Sequence, residues 1–330
     1  MHRTALVAIG GNALVRPGEP ATVASQRAHV METCRALAAL AAGDWRLVIT
    51  HGNGPQVGAA LRRSELAVAE AYPLTLDMCV ASTQGEIGML LQQALHDALA
   101  ERGIERPIGT LLTQVVVSPE DPAFARPGKP VGAFLTREQA AQRRRAGWAM
   151  VEEPPHGYRR VVPSPMPQTV VEEATIRALV ASGVIVVAAG GGGVPVVRDG
   201  NTLRAVEAVV DKDLTSALLA ARLPVSRLAM VTDVDRLYVN FARPGAQGLG
   251  VVDADELHRL AGQGHFPEGT MAPKVAAALR FLHGGGMDVI VTDPSRLVAA
   301  FQGREEGTHV VPGESAAHRI ARDLSHTILG

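Results

Sequence analysis

The sequence predicts an α/β fold built on a mainly parallel sheet, and three observations carry that reading. Short apolar runs alternate with longer helical patterns along most of the 330 residues, as in chains wound through successive βα units. Glycine-rich turns follow two of those runs, at 10–12 and 52–54, the strand ends where open α/β sheets bind ligands. The core has to be aliphatic, because hydrophobic residues make up 47% of the chain and aromatic ones only 3%.

The elements follow in order. Residues 5–9 form a short apolar strand ending at Gly10-Gly11-Asn12. The segment 22–42 is a helix: Val30, Cys34, Leu37 and Ala41 recur at spacings of four and three, and Gly43 stops it as the residue after the cap. A second buried strand, 47–49, precedes Gly52-Asn53-Gly54. Pro55 suits the first turn of a helix running towards 71. Asp77 is placed to cap a long helix that ends near Gly103, and 107–117 reads as a third strand.

Between 118 and 167 the alternation breaks and prolines cluster. Thr136 reads as the N-cap of a short helix with Gln139 as its box partner, and 148–162 reads as a hairpin. The stretch is too long for a plain connection, so it predicts a small subdomain or lid. The α/β pattern then resumes with a helix over 169–182, a strand over 184–189, a sharp turn at Gly190 to Gly193 and a hairpin at Asp199-Gly200. The apolar run 206–210 reads as a strand entering Asp211-Lys212-Asp213, and 214–223 as the next helix. A strand over 228–232 leads to Asp233-Val234-Asp235. Helices from about 253 and 271 and strands over 288–292 and 308–311 complete the pattern.

Composition excludes several classes. With 32 basic against 33 acidic residues the net charge is −1, so the chain shows no electrostatic footprint for nucleic acid or an anionic membrane. No run approaches the ~18 apolar residues of a membrane span. The N-terminus passes straight into a strand without a signal-peptide pattern, which predicts a cytoplasmic protein. Cys34 and Cys79 read as buried free thiols. The histidines lack metal spacing, His51 reads as a turn hydrogen-bonder, and Ser64, Ser82 and Ser216 lack a visible base partner.

The charged candidates cluster at helix starts. Lys212 lies between Asp211 and Asp213 where backbone N–H groups and the helix dipole favour an anion. It is either part of a surface charge alternation or a phosphate-handling lysine held by carboxylates. Asp211 and Asp213 either hold Lys212 or meet a metal, and both options suit phosphoryl transfer, where a protein mainly positions and neutralises charge. Lys274 opens another helix, at the dipole end unfavourable to a cation unless a phosphate is its partner. Lys129, on the stiff loop Pro127-Gly128-Lys129-Pro130, reads on its own as solvated. The two glycine–asparagine turns are either ordinary tight turns or backbone cradles for an oxygen-rich ligand. Asp233 and Asp235 follow a strand on the same edge, and Tyr238 and Phe241 beyond them either line a purine pocket or plug the core. The stretch 52–57 misses the dinucleotide fingerprint, with Val57 at the third glycine, and no Walker pattern is present.

Taken together, Ala8-Ile9-Gly10-Gly11-Asn12-Ala13-Leu14, His51-Gly52-Asn53-Gly54-Pro55-Gln56-Val57-Gly58, Leu76 to Gly85, Lys129-Pro130-Val131-Gly132, Val210 to Asp213 and Met271 to Lys274 resemble the carbamate kinases, a branch of the amino-acid kinase superfamily. The matching stretches run in order from about 4 to about 312. The resemblance implies an open αβα sandwich with a protruding subdomain: one domain over 1–330 with the subdomain over 118–167. The chain departs from the family's pattern in continuing past Val311, with a C-terminal extension over 313–330 without an assigned role. It also implies a homodimer that transfers a phosphoryl group reversibly between ATP and carbamate, with Mg2+. Carried over by position, Lys129, Lys212 and Lys274 stabilise the transferring group and Asp213 orients the lysines. Gly10, Gly11, Asn12, Gly52, Asn53 and Gly54 hold carbamate or carbamoyl phosphate. Thr232, Asp233, Tyr238, Met271, Pro273 and Lys274 lie by the nucleotide. Ala8 stands where other amino-acid kinases often carry a lysine. Met166 stands where many carbamate kinases have lysine, and Phe241 replaces a common tyrosine.

Overall fold

The computed structural model describes residues 3–11, 14–15, 19, 22–241, 245–267 and 271–313. Asn12 and the segment 314–330 of the expected tail lie outside the described residues.

The first five elements are β1 (Arg3–Ile9), α1 (Val23–Ala42), β2 (Trp45–His51), α2 (Gly54–Leu66) and α3 (Leu76–Ala100). Next come β3 (Ile108–Thr110), β4 (Gln114–Val117), β5 (Lys129–Leu135), α4 (Arg137–Arg145), β6 (Met150–Glu153), β7 (Gly157–Val162), β8 (Pro167–Val170) and α5 (Glu173–Ala181). They are followed by β9 (Ile185–Val187), β10 (Val194–Asp199), β11 (Thr202–Ala205), α6 (Lys212–Arg222), β12 (Arg227–Val231), β13 (Tyr238–Val239) and β14 (Gln247–Gly248). The last described elements are β15 (Val251–Asp253), α7 (Ala254–Gly262), α8 (Met271–His283), β16 (Asp288–Thr292), α9 (Leu297–Gln302) and β17 (Thr308–Val311).

An eight-stranded sheet, in the order β15-β17-β16-β12-β1-β2-β9-β3, forms the middle layer. Its strands pair in parallel except for β16 with β17. β1 lies inside it, with Ile9 opposite both Val231 and His51. The residues that follow these strands, Gly10, Thr232 and Gly52, therefore emerge at one end of the sheet. Strand alternation sends Leu6 and Ala8 to one face and Ala5, Val7 and Ile9 to the other. The first face packs against the apolar sides of α5, α6 and α8, the second against α1, α3 and α9. Burying one such aliphatic side chain stabilises by roughly 1.5–3 kcal/mol, and these two layers hold the sheet end rigid. α/β class and parallel sheet are as the sequence predicts.

Several elements differ from expectation for identifiable reasons. The predicted strand over 107–117 is two strands: β3 joins the large sheet, whereas β4 joins a second sheet ordered β11-β10-β4-β8. Buried Gln84 of α3 breaks the run by accepting from Thr113 N at 2.7 Å and donating to Thr113 O and Gly190 O, both at 3.1 Å. The apolar run 206–210 is not a strand; Ala208 and Val210 are buried, and Val209 N donates to Pro163 O at 3.0 Å. The predicted helix 169–182 begins only at Glu173, because residues before it pair with β4 as β8. Asp77 falls in the first turn of α3 rather than at its cap, which is Thr75. The left-handed residue after α1 is Asp44 at φ 65°, not Gly43. α9, β13, β14 and β15 are too short to show a period.

Within 118–167, β5, β7 and β6 make an antiparallel sheet of their own. Thr136 and Gln139 close the expected capping box of α4. Arg143 of α4 and Arg160 of β7 lie over the Trp148 ring at 4.5 and 4.2 Å, a cation–π arrangement. Val131 and Val162 seat the base of this sheet on Val57, Leu76, Val80 and Val194.

Candidate active site

At the end of the large sheet where β1, β2 and β12 stop, a cavity of about 370 Å3 opens. Turns after β1 and β2 form its floor. Gly10 N donates to Val231 O at 2.8 Å and Gly52 N to Ile9 O at 2.9 Å, so the turns continue the strand ladder and are fixed by it. They also press together: a Cβ on Gly52 would stand 2.8 Å from Gly11 N. Glycine is required there by close approach, not by turn geometry alone. Gly10, Gly11, Gly52, Asn53 and Gly54 all face the cavity.

Gly191, which sequence reasoning placed only in a turn, is a further wall residue. Its φ is +64°, and a Cβ there would lie 2.1 Å from Asn53 Nδ2. Asn53 in turn donates to Thr83 Oγ1 at 2.9 Å. The glycine run thus leaves room for an asparagine held by α3. The visible signal was the run Gly190 to Gly193; nothing in it announced the partner. His51, 1% exposed, has Nδ1 3.0 Å from Gly52 O. Burial pushes its pKa down to about 4, so it is neutral at pH 7 and serves the turn, as expected.

The charged groups converge on the same cavity. Asp213, in the first turn of α6, accepts from Lys212 Nζ at 2.6 Å on Oδ1 and from Lys274 Nζ at 2.9 Å on Oδ2. α8 begins at Met271, which puts Pro273 and Lys274 in its first turn. Asp211 is the N-cap of α6: Oδ1 accepts from Asp213 N at 2.9 Å and from Leu214 N at 3.4 Å. Its Oδ2 accepts from Lys129 Nζ at 2.9 Å. Lys129, Lys212 and Lys274 therefore meet around two carboxylates at two helix starts.

Electrostatics follow from this packing. Burial opposes ionisation of Asp213, but the Lys212 and Lys274 ammonium groups and their hydrogen bonds outweigh it and hold the carboxyl well below its usual range. Burial lowers the Lys212 pKa, and the Lys274 charge adds to that against the pull of Asp213. For Lys274 burial works downward too, yet Asp213, with Asp211 and Asp233 behind it, raises the pKa overall.

Thr232, Asp233, Met271 and Pro273 line the other half of the cavity with Val234 and Phe241. Tyr238 does not. Its hydroxyl donates to Asp235 Oδ1 at 2.7 Å, and Asp235 is tied to Arg296 at 2.8 Å. The Tyr238 ring stands 6.1 Å from that of Phe241, so Phe241 is the aromatic that reaches the cavity and Tyr238 is its backing. Of the two aromatics expected by the nucleotide side, Phe241 lines the cavity and Tyr238 stands one layer behind it. Met166 is 46% exposed and stands outside the cavity wall. Among the described residues no group of three His, Cys, Asp or Glu side chains suits a metal ion. Asp211, the candidate ligand, already uses one oxygen on a helix cap and the other on Lys129.

Comparison with known proteins gives the family. The model of the amino acid kinase family matches residues 3–293. The chain is 44% identical to the carbamate kinase-like protein YahI of Escherichia coli, covering 94% of this chain and 99% of that protein. It is 42% identical to a carbamate kinase of Thermococcus kodakarensis, covering 93% and 98%. A carbamate kinase from Giardia lamblia bound to AMP-PNP superimposes with a TM-score of 0.89 at 34% identity, covering 94% of this chain and 99% of that one. The chain belongs to the amino acid kinase family, in its carbamate kinase branch.

Proposed function

We propose that the protein is a carbamate kinase that transfers a phosphoryl group reversibly between ATP and carbamate. The observation that carries the reading is Asp213 holding Lys212 and Lys274 from two helix starts, with Lys129 brought to the same place by Asp211. In the synthetic direction a carbamate carboxylate oxygen attacks the γ-phosphorus. The bond from that phosphorus to the β–γ bridging oxygen breaks, and ADP leaves with its electron pair. No covalent enzyme intermediate is needed. The site acts by alignment and by meeting the charge on the transferring group with fixed ammonium groups and helix N–H donors. The glycine turns suit the carbamoyl side, and the half lined by Phe241, Thr232 and Met271 suits the nucleotide.

Among the described residues no set of side chains makes a cage for Mg2+, so the ion would arrive on the nucleotide phosphates, where it neutralises charge. The region 118–167 serves in this reading as a subdomain that delivers Lys129. In this reading the working form is a homodimer. The working compartment is the cytoplasm; no helix among the described residues is long and apolar enough to cross a membrane.

The test is ATP formation from ADP and carbamoyl phosphate, run beside acetyl phosphate and N-acetylglutamyl phosphate. Turnover with carbamoyl phosphate alone is expected. Preference for either of the others transfers the protein to another acceptor within the family.

A further inference from the structure

Asp211 stands where two parts of the molecule meet. It belongs to the main body, at the end of the loop that enters α6. Lys129 belongs to β5, a strand of the separate three-stranded sheet. The carboxylate divides its oxygens between them, Oδ1 on the α6 amides and Oδ2 on the Lys129 ammonium. Its side chain is 14% exposed and that of Lys129 35%. A backbone bond from Val209 N to Pro163 O, at 3.0 Å, stitches the two parts together next to this pair, since Val162 is the strand partner of Lys129.

We propose that Asp211 is a positioning residue for Lys129. It parks the ammonium beside the N-terminus of α6, next to Lys212, and releases it to the phosphoryl group as that group arrives. The second clause rests on the carbamate kinase reading; the first does not. Without Asp211 the long lysine side chain would lose its anchor and sample solvent. With it, the ammonium needs only a short swing, because the carboxylate stays fixed by the helix amides. The same carboxylate places a negative charge near an anionic substrate and competes with it for Lys129. Removing that charge therefore weakens the alignment of Lys129 without weakening anion binding.

Asparagine separates the two roles of the side chain. It keeps an oxygen for the cap, where it serves as well as aspartate, and loses the charge that holds Lys129. At neutral pH, Asp211→Asn is expected to lower kcat for ADP and carbamoyl phosphate at least tenfold, with KM for carbamoyl phosphate unchanged or lower and the thermal midpoint preserved. In the Lys129→Ala background the same change is expected to cost far less, since most of its effect passes through Lys129 and only the remainder through its charge on Lys212 and Lys274. Additive losses, or full kcat in Asp211→Asn, overturn the proposal. A second arm needs no turnover: acetylation of Lys129 by an N-hydroxysuccinimide ester, followed by peptide mass spectrometry, is expected to run several-fold faster in Asp211→Asn. An unchanged labelling rate overturns the parking role. A wild type inactive with carbamoyl phosphate overturns the functional reading instead, and the labelling arm still decides the role of Asp211.

Discussion

Asp213 Oδ2 accepts a hydrogen bond from Lys274 Nζ at 2.9 Å, joining the first turn of α6 to the first turn of α8. Its other oxygen holds Lys212, so one buried carboxylate bridges two ammonium groups and leaves the trio net positive towards a phosphoryl group. Taking it away leaves both charges buried without a partner, at a cost of ~3–5 kcal/mol. Asp213→Ala is expected to lower the urea midpoint accordingly and to abolish turnover. The pH sign is fixed by the depressed carboxyl pKa. Its stabilisation is complete above the ordinary aspartate value of 3.8 and is lost as pH falls through the lower folded value. Urea titrations in that acid window should show wild type losing stability that Asp213→Ala never had.

Lys212→Ala and Lys274→Ala each remove a fixed cation from the phosphoryl position. Each is expected to cost about a hundredfold or more in kcat while circular dichroism shows an intact fold. Turnover near wild type in either variant would sink the assignment of these lysines.

Alkaline pH offers an independent check. Burial holds the Lys212 pKa below the ordinary lysine value of 10.5, and only the ammonium form attracts a phosphoryl group. As pH rises, kcat/KM for carbamoyl phosphate, which reports the free enzyme, is expected to fall before pH 10.5 is reached. Stability has the opposite sign: the native state sheds this proton before the unfolded chain does, so Lys212 adds stability as pH rises through the same window. A flat kcat/KM profile up to that value contradicts the role of Lys212.

At Gly191 a single methyl group tests the floor of the site. Gly191→Ala forces a Cβ onto Asn53 and onto a left-handed backbone, a strain of order 1–3 kcal/mol. The expected result is a lower melting temperature and a KM for carbamoyl phosphate raised about tenfold or more, as Asn53 leaves Thr83. Gly262→Ala, which meets open space within α7, is the control: it should leave KM unchanged and the melting temperature the same or slightly higher.

Thiol reagents should leave the enzyme untouched. Cys34 and Cys79 are both fully buried. Burial pushes both thiols up, and the charge of Asp77 adds to it at Cys79, so little reactive thiolate forms. Full activity after prolonged iodoacetamide, with both cysteines modified only in denaturant, is the expected outcome; rapid inactivation contradicts the burial.

The strands through 5–9, 47–49 and 228–232 were legible because their apolar runs are long enough to be buried on both faces. The glycine turns and the lysines at helix starts were legible because each carries its own chemical oddity. What the sequence hid was partnership. The run at 107–117 looked continuous because nothing in it records that Gln84, on another element, seizes Thr113. The pairing of Lys129 with Asp211 spans elements that are remote in sequence, and Lys129 by itself looked solvated. Tyr238 and Phe241 looked equivalent, and only tertiary packing decides that Phe241 faces the cavity while Tyr238 is tied to Asp235.

The large sheet begins and ends on β15 and β3, each of three residues. Edges this short expose few unpaired backbone groups, which is how sheet proteins avoid templating further strands. Growth of the sheet from molecule to molecule is blunted at both margins. The eight-stranded sheet is therefore a poor template for strand pairing between copies, however concentrated the protein.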